Sequence, residues 1–206
     1  MAKAADHAPL FEKEVAILMG LNGLGGVPRV LALCQGYPGF LMEFCIGKTF
    51  LAMLFDTTPV STLLRGIHNL VLRVREIHQA GYAHNDLKLD NVILEEGAHS
   101  SVRARVIDLG LCTRLGEIPG FQGVPENHPH IAPELLRNGV ASVESDVFSL
   151  GMMLKGVLQV HARSFPQEFE LFHLAQAMTR LAPRERTPFQ RCVDVLADNL
   201  VVPRQE

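Results

Sequence analysis

Apolar residues recur every three or four positions between residues 63 and 77, and this stripe is the clearest pattern in the chain. The charged residues of the same segment fall largely off the stripe, which is typical of a long amphipathic helix packed against a core. We expect Ser61 to cap the start of this helix and Gly81 to end it. The stripe consists of Leu63, Leu64, Ile67, Leu70, Val71, Val74 and Ile77.

Weaker patterns predict the other elements. Apolar residues at helical spacing predict further helices at residues 9–20, 146–160, 169–182 and 190–200. Short β-type runs predict strands at residues 30–33, 39–44, 82–84, 92–94 and 102–107. Glycines make residues 20–26 a loop, and four prolines with three glycines make residues 111–133 an extended segment.

The composition narrows the classes of function. A chain of 206 residues that is 48% apolar and 20% charged is ordinary for a globular protein with a sizeable core. A net charge of −3 without a Lys/Arg run predicts no nucleic-acid partner. The apolar stretch 147–160 is interrupted by Lys155 and too short for a bilayer, and residues 1–14 lack an apolar signal region, so we expect no membrane partner. The four cysteines form no C-x-x-C pair, which favours reduced thiols in a cytoplasmic protein.

Candidate chemistry is concentrated in two short segments. The first is His84-Asn85-Asp86-Leu87-Lys88-Leu89-Asp90-Asn91, and the second is Asp108-Leu109-Gly110, which begins seventeen residues after Asn91. An apolar β-type run leads straight into Asp108. Each acidic or amide residue alone is more simply explained as a turn cap. Together they supply oxygen ligands for a magnesium ion and a candidate base.

These two segments resemble the catalytic loop and the metal-binding loop of the eukaryotic protein kinases, which read H-R-D-L-x-x-x-x-N and D-F-G. The resemblance implies that Asn91 and Asp108 hold Mg²⁺ beside the phosphates of ATP. It implies that Asp86 is the catalytic base for the acceptor hydroxyl. Lys88 matches the lysine that serine/threonine kinases direct at the transferred phosphate, so it favours Ser or Thr as the acceptor.

Residues 11–18 resemble the first helix of the kinase small lobe, in which Glu14 would pair with a phosphate-binding lysine. Kinases carry that lysine, and a Gly-rich strand–turn–strand, ahead of this helix. Only ten residues precede Phe11 in this chain, and they contain no G-x-G-x-x-G. Lys3 is the candidate for the lysine. The chain is therefore interpreted either as a fragment of a longer kinase or as a natural truncation.

Residues 41–45, Leu-Met-Glu-Phe-Cys, resemble the hinge between the two kinase lobes. The resemblance implies that backbone groups of Glu43 and Cys45 bind the adenine edge. Ile93 matches the residue that forms the large-lobe floor under the adenine.

Three matches lie further along the chain. Ala132-Pro133-Glu134 is similar to the A-P-E triplet that ends the activation segment of kinases, and Arg186 matches the arginine that pairs with its glutamate. We therefore expect a buried ion pair between Glu134 and Arg186. Residues 145–151 resemble the start of the central large-lobe helix, whose aspartate, Asp146 in this chain, holds the backbone of the catalytic loop.

The chain also departs from the kinase pattern. Asn85 stands where most kinases have an arginine that contacts a phosphorylated activation loop, and Thr113 is the only hydroxylated side chain between Asp108 and Glu134. Both departures argue against activation by phosphorylation of this segment.

The histidines are interpreted as structural. We expect His84 to pack under the metal-binding loop rather than to act in catalysis. His128 and His130 form an H-x-H pair without a nearby third ligand, so we do not expect them to bind zinc.

The sequence thus predicts an α+β, protein-kinase-like, two-lobe fold with a truncated small lobe at residues 1–45 and a mainly helical large lobe at 46–206. The leading function is ATP- and Mg²⁺-dependent phosphorylation of Ser or Thr in a protein substrate. One alternative is a weakly active or inactive kinase-like module that regulates a partner protein. Another is a small-molecule phosphotransferase, against which Lys88, the triplet 132–134 and Arg186 argue.

Overall fold

A computed structural model describes residues 8–36, 39–165 and 169–200, so Lys3 lies outside the described residues. The helices are α1 (Ala8–Leu21), α2 (Phe50–Leu54), α3 (Val60–Gln79), α4 (Val143–Val160), α5 (Glu170–Met178) and α6 (Phe189–Asp198). The strands are β1 (Val30–Leu33), β2 (Phe40–Met42), β3 (Lys48–Thr49), β4 (Tyr82–Ala83), β5 (Val92–Glu96), β6 (Val102–Val106) and β7 (Thr113–Arg114).

The strands form three small antiparallel sheets. β1 pairs with β2, β4 pairs with β7, and β5 lies between β3 and β6. Gly47 precedes β3 with a φ of 136°, and a Cβ there would lie 2.3 Å from the Leu94 carbonyl oxygen. Only glycine allows the chain to approach β5 this closely.

Helix α3 lies at the centre of the core. Every residue of its predicted apolar stripe is buried, and the helix packs against β6, α4 and α6. Ile17, Leu18 and Leu21 of α1 belong to the same continuous core. The first helix is therefore tied to the helical part of the chain by apolar packing.

Of the two residues predicted to cap α3, one is confirmed and one is not. Gly81 has a φ of 87° and its N–H donates to the His78 carbonyl at 2.9 Å, so the predicted stop is confirmed. The prediction for Ser61 is wrong, because the helix begins one residue earlier at Val60 and Ser61 is exposed within its first turn. Pro59 is the N-cap, and its restricted φ of −58° sets the direction in which the chain enters the helix.

The remaining boundaries differ from the prediction in a few places. β2 is shorter than residues 39–44, and α2, β3 and β7 were not predicted, because five or two residues are too few for a recognisable period. Residues 111–133 are largely irregular, as expected, apart from β7. Among the described residues, no helix is long and apolar enough to cross a membrane.

Candidate active site

Asp146 anchors the segment 84–91, which we call the catalytic loop. It lies in the first turn of α4, where Ser142 and Ser145 form a capping box. Its fully buried carboxylate accepts backbone N–H bonds from His84 and Asn85, both at 2.8 Å, and lies 2.8 Å from Nε2 of His78. The predicted role of this aspartate in holding the loop backbone is confirmed by these contacts.

Replacing Asp146 with asparagine is expected to lower the free energy of unfolding by roughly 2–4 kcal/mol, because an amide cannot accept hydrogen bonds from all three donors. Burial raises the pKa of Asp146, but the hydrogen bond to His78 and the neighbouring donors outweigh it and lower the pKa overall. A carboxylate with a depressed pKa stabilises the fold above its unfolded pKa of about 3.9 and loses that contribution as the pH falls through its folded pKa. Urea unfolding at several pH values measures both effects.

The matched control for this prediction is Asp198→Asn, which changes an exposed aspartate at the end of α6. We expect the acid-induced loss of stability to be shallower in Asp146→Asn than in the wild type and unchanged in Asp198→Asn. An Asp146→Asn chain as stable as the wild type at neutral pH would contradict the anchoring role.

His84 connects the catalytic loop to the end of β6. The side chain is fully buried, and its Nδ1 accepts the Asp86 N–H at 3.3 Å while Nε2 lies 3.3 Å from the Ile107 carbonyl oxygen. This pairing requires the proton on Nε2. Burial is the main reason why the pKa of His84 is lowered, which keeps the ring neutral. These contacts agree with the structural role expected for His84.

Asn85 is also structural. It has a φ of 65°, a conformation that asparagine tolerates, and its side-chain amide donates to the carbonyls of Leu111 at 2.9 Å and Ala83 at 3.3 Å. Thr113 is 2% exposed, and its hydroxyl accepts a 2.9 Å hydrogen bond from Lys13. Neither residue is accessible as a phosphate receiver or as a phosphorylation site in this conformation.

Three side chains contact the carboxylate of Asp86. Its Oδ2 accepts from Lys88 Nζ at 2.9 Å and from Asn91 Nδ2 at 2.8 Å, and its Oδ1 lies 2.8 Å from His130 Nε2. Burial alone would raise its pKa, but the hydrogen bonds from His130 and Lys88 outweigh burial and lower the pKa to about 2. The group is therefore ionised and held in one orientation, which suits a hydrogen-bond acceptor.

Asn91 and Asp108, the two predicted metal ligands, belong to adjoining segments. The Ile107 N–H, immediately before Asp108, donates to the Asn91 carbonyl at 2.9 Å. Asn91 uses its Nδ2 on the carbonyl and carboxylate of Asp86, so its Oδ1 is left as the side-chain acceptor. Asp108 is exposed, and one of its oxygens accepts only a 3.3 Å bond from Gly110 N–H.

These oxygens fit magnesium, which prefers oxygen ligands and usually takes one or two carboxylates from a protein in addition to phosphates and water. Within the described ranges, no cluster of three or more His, Cys, Asp or Glu side chains could hold a metal ion by itself. A magnesium ion at Asn91 and Asp108 would therefore need oxygens from phosphates or water to complete its coordination.

Glu14 of α1 contacts the segment Asp108-Leu109-Gly110. Its carboxylate accepts the Leu109 N–H at 3.2 Å. The pKa of Glu14 is raised, mainly because the side chain is partly buried. The nearby negative charge of Asp108 also raises this pKa, whereas the hydrogen bond from Leu109 lowers it. Lys13 of the same helix bonds Thr113. Sequence reasoning missed both contacts, because each joins residues about a hundred positions apart.

The predicted adenine-binding residues lie near one another. The carboxylate of Glu43 accepts from Arg29 N–H at 3.1 Å and from the Arg105 guanidinium at 3.0 Å. Cys45 is buried, and no other described residue bonds its backbone N–H or carbonyl. Ile93 lies in β5 and contacts Gly47, and Gly47 is two residues after Cys45 in the sequence. The backbone of Cys45 is therefore available to a ligand, whereas the Glu43 N–H is occupied because it donates to the Arg29 carbonyl at 2.9 Å. The Glu43 side chain fixes the surrounding strands.

Glu134 and Arg186 form the predicted ion pair. The Arg186 guanidinium is fully buried and donates to both carboxylate oxygens of Glu134, at 2.5 and 2.7 Å, while Glu134 remains 20% exposed. The same arginine also donates to the carbonyls of Glu144, Arg180 and Leu181. The pair thus ties the end of the activation segment to the chain before α6.

His130 is the site residue that sequence reasoning missed. The sequence shows it only as half of an H-x-H pair, whereas the structure places its ring against the Asp86 carboxylate. Its position two residues before the triplet Ala132-Pro133-Glu134 was the available signal.

Comparison with known proteins agrees with this geometry. Residues 32–194 match the model of the protein kinase domain. The chain belongs to the protein kinase family, which confirms the predicted family and fold class.

Several similar proteins are named as kinases. The serine/threonine-protein kinase RUNKEL of Arabidopsis thaliana is 29% identical over 178 residues, which cover 78% of this chain and 12% of that protein. The hormonally up-regulated neu tumor-associated kinase of Homo sapiens is 28% identical over 153 residues, or 72% of this chain and 20% of that protein. The serine/threonine-protein kinase mrck-1 of Caenorhabditis elegans is 33% identical over 132 residues, which cover 58% of this chain and 8% of that protein. The chain thus spans about a fifth or less of these relatives.

Proposed function

We propose that this chain transfers the terminal phosphoryl group of ATP, with Mg²⁺, to serine or threonine hydroxyls of protein substrates. The observation that carries the proposal is the arrangement around Asp86, which joins a fixed carboxylate, Lys88 and Asn91 in one hydrogen-bonded group. Phosphoryl transfer depends on positioning and charge neutralisation far more than on covalent help from side chains. These residues supply both.

Each residue has a separate task in the proposed reaction. Asp86 accepts the hydrogen bond of the acceptor hydroxyl and later its proton. Lys88 places a positive charge beside the phosphoryl group that is being transferred. Asn91 and Asp108 would hold magnesium, which neutralises charge on the phosphates. The names of the relatives and the presence of Lys88 support serine or threonine as the acceptor.

The first test is a calorimetric titration of the chain with ATP in the presence and in the absence of magnesium. We expect magnesium-dependent binding with a Kd of about 0.1–1 mM, roughly −5.5 to −4 kcal/mol, because the residues before Phe11 contain no G-x-G-x-x-G motif to cover the phosphates. Adding a Gly-rich lobe, if the source gene encodes one upstream, should strengthen binding and turnover together.

The controls for this titration are Asp108→Asn, which should remove the magnesium dependence, and Asp198→Asn, which should leave it unchanged. Tight binding by the wild type would contradict the importance of a Gly-rich loop for affinity. Absence of any binding would contradict phosphoryl transfer by this chain and favour the second candidate below.

The second candidate is a kinase-like module that binds a partner protein. It is favoured by the exposed apolar surface around β1 and β2, where Leu31, Leu33 and Leu41 are each more than half exposed and Phe44 is 88% exposed. Large apolar side chains that are exposed close together in a short segment are typical of interaction sites. Under this candidate the small-lobe sheet would be covered by a partner, with nucleotide playing no part.

A further inference from the structure

We infer that His130 is a positioning residue that fixes the carboxylate of Asp86 for the acceptor hydroxyl. The inference rests on the proposed phosphoryl transfer and adds to it a residue that none of the kinase motifs of this chain contains. Its basis is the 2.8 Å contact between His130 Nε2 and Asp86 Oδ1, made between side chains that are only 19% and 11% exposed.

The number of acceptor positions on Asp86 makes this contact important. An ionised carboxylate offers about four lone-pair positions, two on each oxygen. Lys88 and Asn91 use both positions on Oδ2, and His130 uses one on Oδ1. Among the described residues nothing uses the fourth. An acceptor hydroxyl would therefore bind Oδ1, directly beside the His130 ring.

His130 is itself held in place. Its backbone carbonyl accepts a 2.6 Å hydrogen bond from the Ser149 hydroxyl on the buried helix α4. The ring also forms part of the wall of a cavity of about 440 Å³, together with Leu89, Pro129 and Met152. Lys88 and Asp90 also line this cavity. His130 thus contacts Asp86 and also lines the cavity next to Lys88.

The charge of a histidine ring determines how it acts on a neighbouring carboxylate. A neutral ring with its proton on Nε2 donates one hydrogen bond, whereas an imidazolium adds a positive charge that makes Asp86 a poorer proton acceptor. The ionisable groups around His130 are Asp86 and Lys88 of the catalytic loop, Asp90 in the shared cavity, and His128, whose ring centroid is 6.3 Å away. From α4 it meets Ser149 and Met152, which do not ionise.

The kinetic test compares His130→Leu, His130→Gln and the control His128→Leu, with Mg–ATP and a peptide library that contains one serine or threonine per peptide. We expect His130→Leu to lower kcat about 10- to 100-fold with little change in KM for ATP, because a misplaced acceptor costs rate rather than nucleotide binding. His130→Gln should recover most of kcat, since its amide nitrogen can reach the Nε2 position. His128→Leu should behave like the wild type.

The pH profile separates positioning from mere folding. The dependence of kcat on pH should differ between the wild type and His130→Gln, because a glutamine side chain cannot change its charge. Thermal unfolding followed by circular dichroism checks that each variant is folded. Equal kcat values for His130→Leu and His128→Leu, or a His130→Gln protein as slow as His130→Leu, would overturn the inference.

A second measurement does not depend on activity. Long-range ¹H–¹⁵N spectra of the histidine rings should show that Asp86→Asn displaces the Nε2 resonance of His130 and leaves the resonances of His128 in place. If the wild-type chain transfers no phosphate while this displacement is seen, the contact stands and the proposed function fails. If the His130 resonance does not move, the inference is overturned whether or not the chain is active.

Discussion

Asp86→Asn is expected to lower the turnover number of phosphoryl transfer by about 10²–10⁴-fold while leaving magnesium-dependent ATP binding in place. The amide has nearly the shape of the carboxylate but cannot take a proton, and it brings an NH₂ group toward Lys88 and Asn91, which already donate to this position. Asp108→Asn should act differently. Because Asp108 is a proposed magnesium ligand, its variant should lose magnesium-dependent binding and activity together.

Single-turnover kinetics and calorimetry on the same preparations distinguish these outcomes. Asp198→Asn is the matched control, since it makes the same chemical change at an exposed position on α6. If activity survives in both Asp86→Asn and Asp108→Asn, neither residue has its proposed role. If the two variants lose ATP binding equally, the division between a base and a metal ligand is wrong.

Local sequence patterns predicted the long elements of this fold well. Helix α3 could be read from its apolar stripe because one face of a surface helix must be buried, and all seven stripe residues are buried. Its start was misplaced because Ser61 is a good cap by residue type, while Pro59 fixes the backbone one residue before the helix. β7 was missed because its two residues are strand only through pairing with β4.

Contacts within a single sequence motif of the candidate site could be predicted. Asp86, Lys88 and Asn91 lie within six residues, so their proximity follows from the loop itself. The contacts of Asp86 with His130 and of Glu14 with Leu109 join residues 44 and 95 positions apart. No periodicity or motif encodes such contacts. They depend on how the activation segment and α1 fold back onto the core.

Arg186→Ala is expected to lower the free energy of unfolding by about 3–5 kcal/mol, the usual cost of removing one partner from a buried ion pair. The guanidinium is fully buried, bonds both oxygens of Glu134 and three backbone carbonyls, and lies 5.0 Å from the centre of the Phe148 ring. Its loss leaves a carboxylate and several carbonyls without donors and opens space beside the ring. Urea unfolding monitored by circular dichroism measures the change.

Two further variants separate charge from packing at this pair. Glu134→Gln keeps one side-chain oxygen as an acceptor for Arg186 but removes the negative charge. We expect a smaller loss of stability than in Arg186→Ala, because the arginine keeps its bonds to three backbone carbonyls and can donate to the glutamine oxygen. Arg184→Ala removes an exposed arginine two positions away and should change stability by less than about 0.5 kcal/mol. An Arg186→Ala chain no less stable than Arg184→Ala would show that the activation segment is held by apolar packing alone. The small cluster of Ile131, Ala132, Leu135 and Phe148 would then be its main attachment to α4.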